Sequence, residues 1–234
     1  MRPVKTTGFA LTVQGKVGVG VMNRIYFTAD LHFGHPKKQQ DSPSYDEWLL
    51  DLWWRSVDSG DTVYILGDVT FLPMPEAIEL LEKLPGKKIL VAGNHDGDIL
   101  GCTEHFDEIC QIKEVRFTPE EAPFLKRSIR LVMCHYPMLT WNHKPSGALM
   151  LHGHSHGRLD KNNALSIDLR FDVGLDGKLA DHRLLRLEDI YFAATKKILR
   201  HGCNSIKEYA KKYYLVDKKE TVTESLLPCQ HPSS

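Results

Sequence analysis

The chain has 234 residues, 42% of them hydrophobic and 26% charged, enough for one sizeable core and a small appendage. Its 30 basic and 30 acidic residues cancel, so no global field steers it toward nucleic acid or a membrane, and no apolar stretch approaches the ~20 residues of a membrane span. The five cysteines are odd in number and form no Cys-x-x-Cys pair, which argues against a disulfide framework or a zinc knuckle and fits a reducing cytoplasm.

Residues 1–21 are glycine-rich and weakly patterned, with few basic residues and no apolar run of the kind a secretory signal needs. They read as an extension outside the core, with a fresh start at Met22. Residues 25–29 are a β-rich run ending at Asp30-Leu31-His32-Phe33-Gly34-His35. Residues 44–57 predict a helix, with Trp48, Leu49, Leu52 and Trp53 on one face and both Trp53 and Trp54 packed in the core. Residues 61–66 predict a strand that ends at Gly67-Asp68. Pro75 opens the next helix, over 75–84, with Ile78, Leu81 and Leu84 as its apolar face and Pro85-Gly86 as its stop. A buried strand over 88–92 leads to Gly93-Asn94-His95-Asp96. This β-α-β-α-β order predicts a layered α/β sheet with helical crossovers.

The second half is richer in strands. Residues 109–117 and 128–134 predict two, and the latter ends at His135-Tyr136-Pro137. Residues 147–151 end at His152-Gly153-His154-Ser155-His156. Residues 164–173 alternate as a strand does, and 183–187 offer another. Helices are predicted over 188–199 and 205–214. Residues 22–214 read as one domain and 215–234 as a polar tail.

Five clusters therefore follow apolar runs: Asp30 and His32, Asp68, Asn94 and His95, His135, and His154 and His156. A lone His or Asp at a strand end is most often a capped turn. Repeated five times, in a chain with 12 histidines, the pattern points to one shared edge, where α/β sheets bind ligands. The mixture of carboxylate, imidazole and amide oxygen suits first-row transition metals and, less well, Mg²⁺. Cys134 reads as a small buried apolar residue, and His105, His143, His182, His201 and His231 as ordinary histidines.

The motifs Asp30-x-His32, Gly67-Asp68, Gly93-Asn94-His95-Asp96, His135 and Gly153-His154-x-His156, in that order, resemble those of calcineurin-like metallophosphoesterases. Asp30-Leu31-His32-Phe33-Gly34-His35, Cys134-His135-Tyr136-Pro137 and His152-Gly153-His154-Ser155-His156-Gly157 are similar to the small bacterial and phage type, over roughly residues 24–190. The resemblance implies a layered αββα sandwich of two mixed β-sheets flanked by helices. It implies two divalent metal ions, manganese first, with iron, zinc, nickel, cobalt or magnesium as alternatives. Asp30, His32 and His156 would hold one ion, Asn94, His135 and His154 the other, and Asp68 would bridge them. A hydroxide between the ions would attack phosphorus, and His95 would protonate the leaving oxygen. His35 and His152 would contact phosphate or orient neighbouring ligands, and Asp96 would orient His95 or cap the turn.

The chain lacks the second Asp and the Arg that protein phosphatases carry after Gly-Asp; here Gly67-Asp68 is followed by Val69-Thr70-Phe71. A small phosphoester or nucleotide phosphodiester is the expected substrate, rather than a phosphoprotein. A nuclease would want a basic groove, and Lys37-Lys38, Lys126-Arg127 and Lys211-Lys212 are scattered doublets. A non-catalytic metal-binding interaction module of the same fold is the remaining alternative.

Overall fold

The structure, a computed structural model, describes residues 23–215. The expected extension over residues 1–21 and the tail beyond Leu215 lie outside the described residues, as do Cys229 and His231. Three short apolar runs form parallel neighbours: β1 (Ile25–Thr28), β2 (Thr62–Ile65) and β3 (Lys87–Val91), with Tyr26 opposite Val63 and Val63 opposite Lys88. Side chains alternate across this sheet, as the two-residue period of a strand requires. Tyr26, Val63, Ile65 and Leu90 face one way, against Leu49 and Trp53 of α2 (Tyr45–Ser56) and Leu80 and Leu81 of α3 (Met74–Lys83). Phe27, Tyr64 and Val91 face the other way, into a core shared with the second sheet.

The helices correct three expectations. Trp54 is 55% exposed rather than core, with its indole N–H donating to the Lys83 carbonyl. On α3 the expected face proves too narrow: Leu81 and the C-cap Leu84 are buried and Ile78 is partly buried as read, but Ala77 and Leu80 are buried with them. A short helix, α1 (Pro36–Asp41), was not expected at all; it buries nothing and is capped by the His35 ring, which accepts from the Lys37 amide.

The run over 109–117 is two strands, not one. β4 (Glu108–Cys110) joins the first sheet beside β3, and β5 (Ile112–Phe117) joins the second, antiparallel to β6 (Ile129–Cys134). The chain changes sheet at Gln111. β7 (Leu149–His152) and β8 (Arg170–Asp172) continue the second sheet in parallel with β6. The long strand expected over 164–173 is mostly otherwise: α4 (Asp160–Leu165) takes its start, and only Arg170–Asp172 pairs. β9 (Leu185–Arg186) closes the first sheet antiparallel to β1, and α5 (Leu187–Arg200) and α6 (Ile206–Tyr213) follow.

The result is an α/β architecture of two mixed sheets, β4-β3-β2-β1-β9 and β5-β6-β7-β8, with flanking helices. Leu131, Met133, Leu149 and Leu151 meet Phe27, Leu66 and Val91 between the sheets, and Leu187, Ile190 and Ala194 of α5 seal that core. Among the described residues no helix is long and apolar enough to cross a membrane.

Candidate metal centre

The loops after β1, β2 and β3 are tied edge to edge. The amides of Asp30, His32 and Phe33 donate to the carbonyls of Gly67, Asp68 and Val69, so the parallel pairing of β1 and β2 persists past their formal ends. Asp96 clamps the loops after β2 and β3 together. It is fully buried, and its carboxylate accepts from the amides of Asp68 (2.9 Å), Val69 (2.8 Å) and Gly93 (2.7 Å). Two glycines make room for this approach: a Cβ on Gly67 would lie 2.5 Å from the His135 ring, and one on Gly93 would lie 2.4 Å from the Asp68 carboxylate.

Eight non-glycine residues among those described have positive φ, and five of them are strand-end donors: Asp30 (56°), His32 (51°), Asp68 (57°), His154 (65°) and His156 (46°). Each such conformation costs about 1–3 kcal/mol, and clustered strain of this kind marks sites whose geometry matters more than local comfort. The strain turns all five side chains toward one point at the C-terminal edge of both sheets.

There they form two groups. In the first, His32 Nε2 and His156 Nε2 are 3.2 Å apart, and each is 3.9 Å from Asp30 Oδ1. In the second, Asn94 Oδ1 is 3.0 Å from both His135 Nε2 and His154 Nδ1, which are 3.2 Å from each other. Asp68 Oδ2 sits between them, 3.9 Å from His32 Nε2 and 3.5 Å from His135 Nε2. Asp30 also lies near both, since Asp30, Asp68 and His135 can bring one ligand atom each within 4.8 Å of one another.

Asp30 accepts from the His154 amide at 3.0–3.1 Å, but the ring nitrogens of the two groups face one another as acceptors. His135 Nδ1 donates to the Leu66 carbonyl at 2.8 Å, which leaves its Nε2 as a bare lone pair facing Asn94 and His154. His156 Nδ1 donates to Asp176 at 2.8 Å, which leaves its Nε2 bare toward His32. Two donors on a cation with bonds of ~2.1 Å would stand about 3 Å apart at right angles and about 4 Å apart when opposed, a range that spans the 3.0–3.9 Å spacings of the two groups. The donor set therefore fits divalent cations.

The electrostatics agree. Burial pushes the Asp30 carboxyl up to about 7 and the His32 ring down to about 3, and it lowers His154 as well. A buried carboxylate short of positive charge beside neutral imidazoles is the environment a cation relieves. The hydrogen bond between His156 and Asp176 raises the ring and holds the carboxyl well below the usual range.

The remaining expected residues separate. His95 is exposed at the rim, its ring against Phe71 (4.8 Å between centroids) and edge-on to His32 (6.0 Å), while its amide donates to Asp68 Oδ1. His35 also lies at the rim, against Phe71 at 4.6 Å. Of the two roles expected for Asp96, its carboxylate takes the cap: it is engaged by backbone amides of the turn and the neighbouring loop and makes no hydrogen bond to the His95 ring. His152 is fully buried and turned from the centre, with Nδ1 on the Gly153 carbonyl and Nε2 accepting from Asn163, so it has no reach to a phosphate.

Three residues went unread in the sequence. Asp176 orients His156, Asp172 takes Ser155 Oγ and the Gly157 and Gly174 amides, and Asn163 holds His152. Asp176 follows β8 by a few residues, so the strand-end rule that found the others would have reached it. Asn163 stands mid-helix in α4 and carries no such signal.

Residues 23–158, more than half of the chain, match the sequence model of the calcineurin-like phosphoesterases. The Gene 66 protein of Mycobacterium phage D29 is 26% identical over 196 residues, covering 72% of this chain and 94% of its own length. The Gene 66 protein of Mycobacterium phage L5 is 25% identical over 202 residues, covering 73% and 93%. A solved structure of a protein of unknown function from Aquifex aeolicus superposes with a TM-score of 0.54 at 24% identity, covering 73% of this chain and 99% of that one; it shares the fold. The matched span holds every one of the converging donors, from Asp30 to His156, and on that ground the chain belongs to the calcineurin-like phosphoesterase family.

Proposed function

We propose that the protein is a dinuclear metal-dependent phosphoesterase acting on a small phosphoester or a nucleotide phosphodiester. Asp30, His32 and His156 hold one ion, Asn94, His135 and His154 hold the other, and the Asp68 carboxylate is shared. The observation that carries this reading is the pair of lone-pair trios, at 3.0–3.9 Å spacings, with Asp68 Oδ2 between them. Two divalent cations there would supply an acidified water and the positive charge that a phosphate needs; manganese suits this mixed N/O set, as do its first-row neighbours.

The chain's own residues do the rest. His95, exposed and unligated, stands where it can hand a proton from its ring to a departing ester oxygen. Asp176 keeps the His156 proton on Nδ1, and the Leu66 carbonyl does the same for His135, so both rings present a free Nε2. Phe71 (37% exposed) lies beside His32 and His95, and Tyr136 (47% exposed) beside His135 and His154. A flat apolar ring on each side of the centre favours an ester with an aryl or nucleobase group.

The test is a screen of manganese-loaded protein against nitrophenyl phosphate, bis-nitrophenyl phosphate and 2′,3′-cyclic nucleotides. The reading expects metal-dependent hydrolysis of at least one, abolished by Asp68→Asn. Two bound metals with no turnover of any substrate would overturn it in favour of a metal-binding interaction module.

A further inference from the structure

A second cavity, of about 400 Å³, opens between α4, β8, the segment that follows β8, and α5. None of its lining residues is a donor in the metal centre. Its walls carry six basic side chains against three carboxylates, in a chain whose charges otherwise balance. All three carboxylates are engaged within the fold. Asp172 accepts from Ser155 and Gly174, Asp160 from the Lys178 amide, and Asp189 from Arg183 and the Arg186 amide.

The floor of the cavity is the telling part. Arg170 and Lys197 are only 8% and 7% exposed, and among the described residues neither makes an ion pair. Arg170 donates to Asn163 Oδ1 and the Met138 carbonyl, both at 2.9 Å, and Lys197 donates to the carbonyls of Asn163 and Asp168. Neutral acceptors take two N–H bonds from each, and the carboxylate that bears on Lys197, Asp168, is itself paired with Lys144 at 2.7 Å. Burial accordingly pushes the Lys197 ammonium down to about 8. A buried cation without an ion-pair partner is costly, and two of them lining one cavity favour an anion inside it. The pair is also fixed in advance, because Asn163 is itself held by His152 at 3.0 Å. At the mouth stand the exposed Lys196 and Arg200, and the Phe192 ring, which is 59% exposed. The space falls within the range of small-molecule sites and exceeds the need of a bare inorganic ion.

We propose that this cavity binds a small phosphorylated ligand that carries an aromatic ring, a nucleoside monophosphate being the simplest case. The phosphate reaches Arg170 and Lys197, the rim cations draw it in, and the ring lies on Phe192. This does not rest on the phosphoesterase reading, since the site holds no metal donor.

The test is calorimetric titration of adenosine monophosphate, and separately of inorganic phosphate, into the full chain stripped of metal by a chelator. Arg170 and Lys197 are buried and their variants could unfold, so the exposed rim is altered instead. One mole of nucleotide should bind per mole of chain, more tightly than phosphate. Lys196→Glu combined with Arg200→Glu should weaken both probes by about tenfold or more, Phe192→Ser should weaken the nucleotide alone, and Asp68→Asn should change neither. No binding of nucleotide up to about 10 mM, a Kd weaker than any useful site, would overturn the inference. So would binding that disappears in Asp68→Asn but survives in the rim variant, because the anion would then occupy the metal centre.

Discussion

His95 stands exposed at the rim with its ring against Phe71 and outside both donor groups, which separates chemistry from metal binding at a single residue. We expect His95→Ala to keep its full metal content while hydrolysis falls by ~10²–10⁴-fold, the usual worth of a general acid. The loss should shrink for nitrophenolate esters, which leave without a proton, and be greatest for alkyl or ribose esters. Rates across a leaving-group series, alongside elemental analysis, check this; a uniform loss would mean that His95 stabilises phosphate charge. Its neighbour Asp96 behaves differently. Asp96→Ala would strand three buried amides at about 1–3 kcal/mol each, so thermal unfolding should show a loss of roughly 3 kcal/mol or more, with Asp96→Asn milder. Lys197 adds a pH signature. Its folded pKa, about 8, lies below the unfolded 10.5, so the folded state binds fewer protons in between. The cost is fully present below pH 8 and is relieved as pH rises toward 10.5; stability should climb over that window in denaturant titrations, and Lys197→Met should flatten the climb. Strand-end donors such as Asp30 and His135 were legible because an apolar run followed by His or Asp is a linear signal. Whether Asp96 aims at a ring or at backbone amides is not linear, and neither is the pairing of Asn163 with His152.

At the level of elements, α2 shows where periodicity suffices and where it does not. Trp53 and Trp54 are adjacent and equally apolar, yet Trp53 is fully buried and Trp54 is 55% exposed, because successive helical residues point about 100° apart. We expect Trp53→Ala to cost about 3–5 kcal/mol and Trp54→Ala about 1 kcal/mol, the latter from its bond to the Lys83 carbonyl; chemical denaturation of the two variants would separate them. The crossovers were readable for the same reason that β1, β2 and β3 were: short apolar runs alternate with amphipathic helices. The break at Gln111 was not. Residues 108–117 are continuously strand-forming, and only the competition of two sheets for the same segment decides that β4 pairs with β3 while β5 pairs with β6. The polar helix α1 was invisible because it buries no face, and α4 was misread because its alternation mimics a strand.

On the scale of the molecule, two sheets share one core and aim the ends of their parallel strands at one edge, so that residues as distant as Asp30 and His156 meet. Residues 1–21 are glycine-rich and weakly patterned, and Met22 stands just ahead of β1. A chain beginning at Met22 is therefore expected to fold and to bind metal as the full chain does, as circular dichroism and elemental analysis would report; failure to fold would mean that the missing segment completes the core. The central claim is that the converging donors form a two-ion site held together by Asp68. Elemental analysis of the purified full chain and its single-ligand variants measures this most directly. The account predicts two divalent ions per chain, a loss of both in Asp68→Asn, and a loss weighted to one ion in His32→Ala or His154→Ala. Retention of two ions by Asp68→Asn, or no more than one ion in the unaltered chain after saturation with manganese, would contradict it.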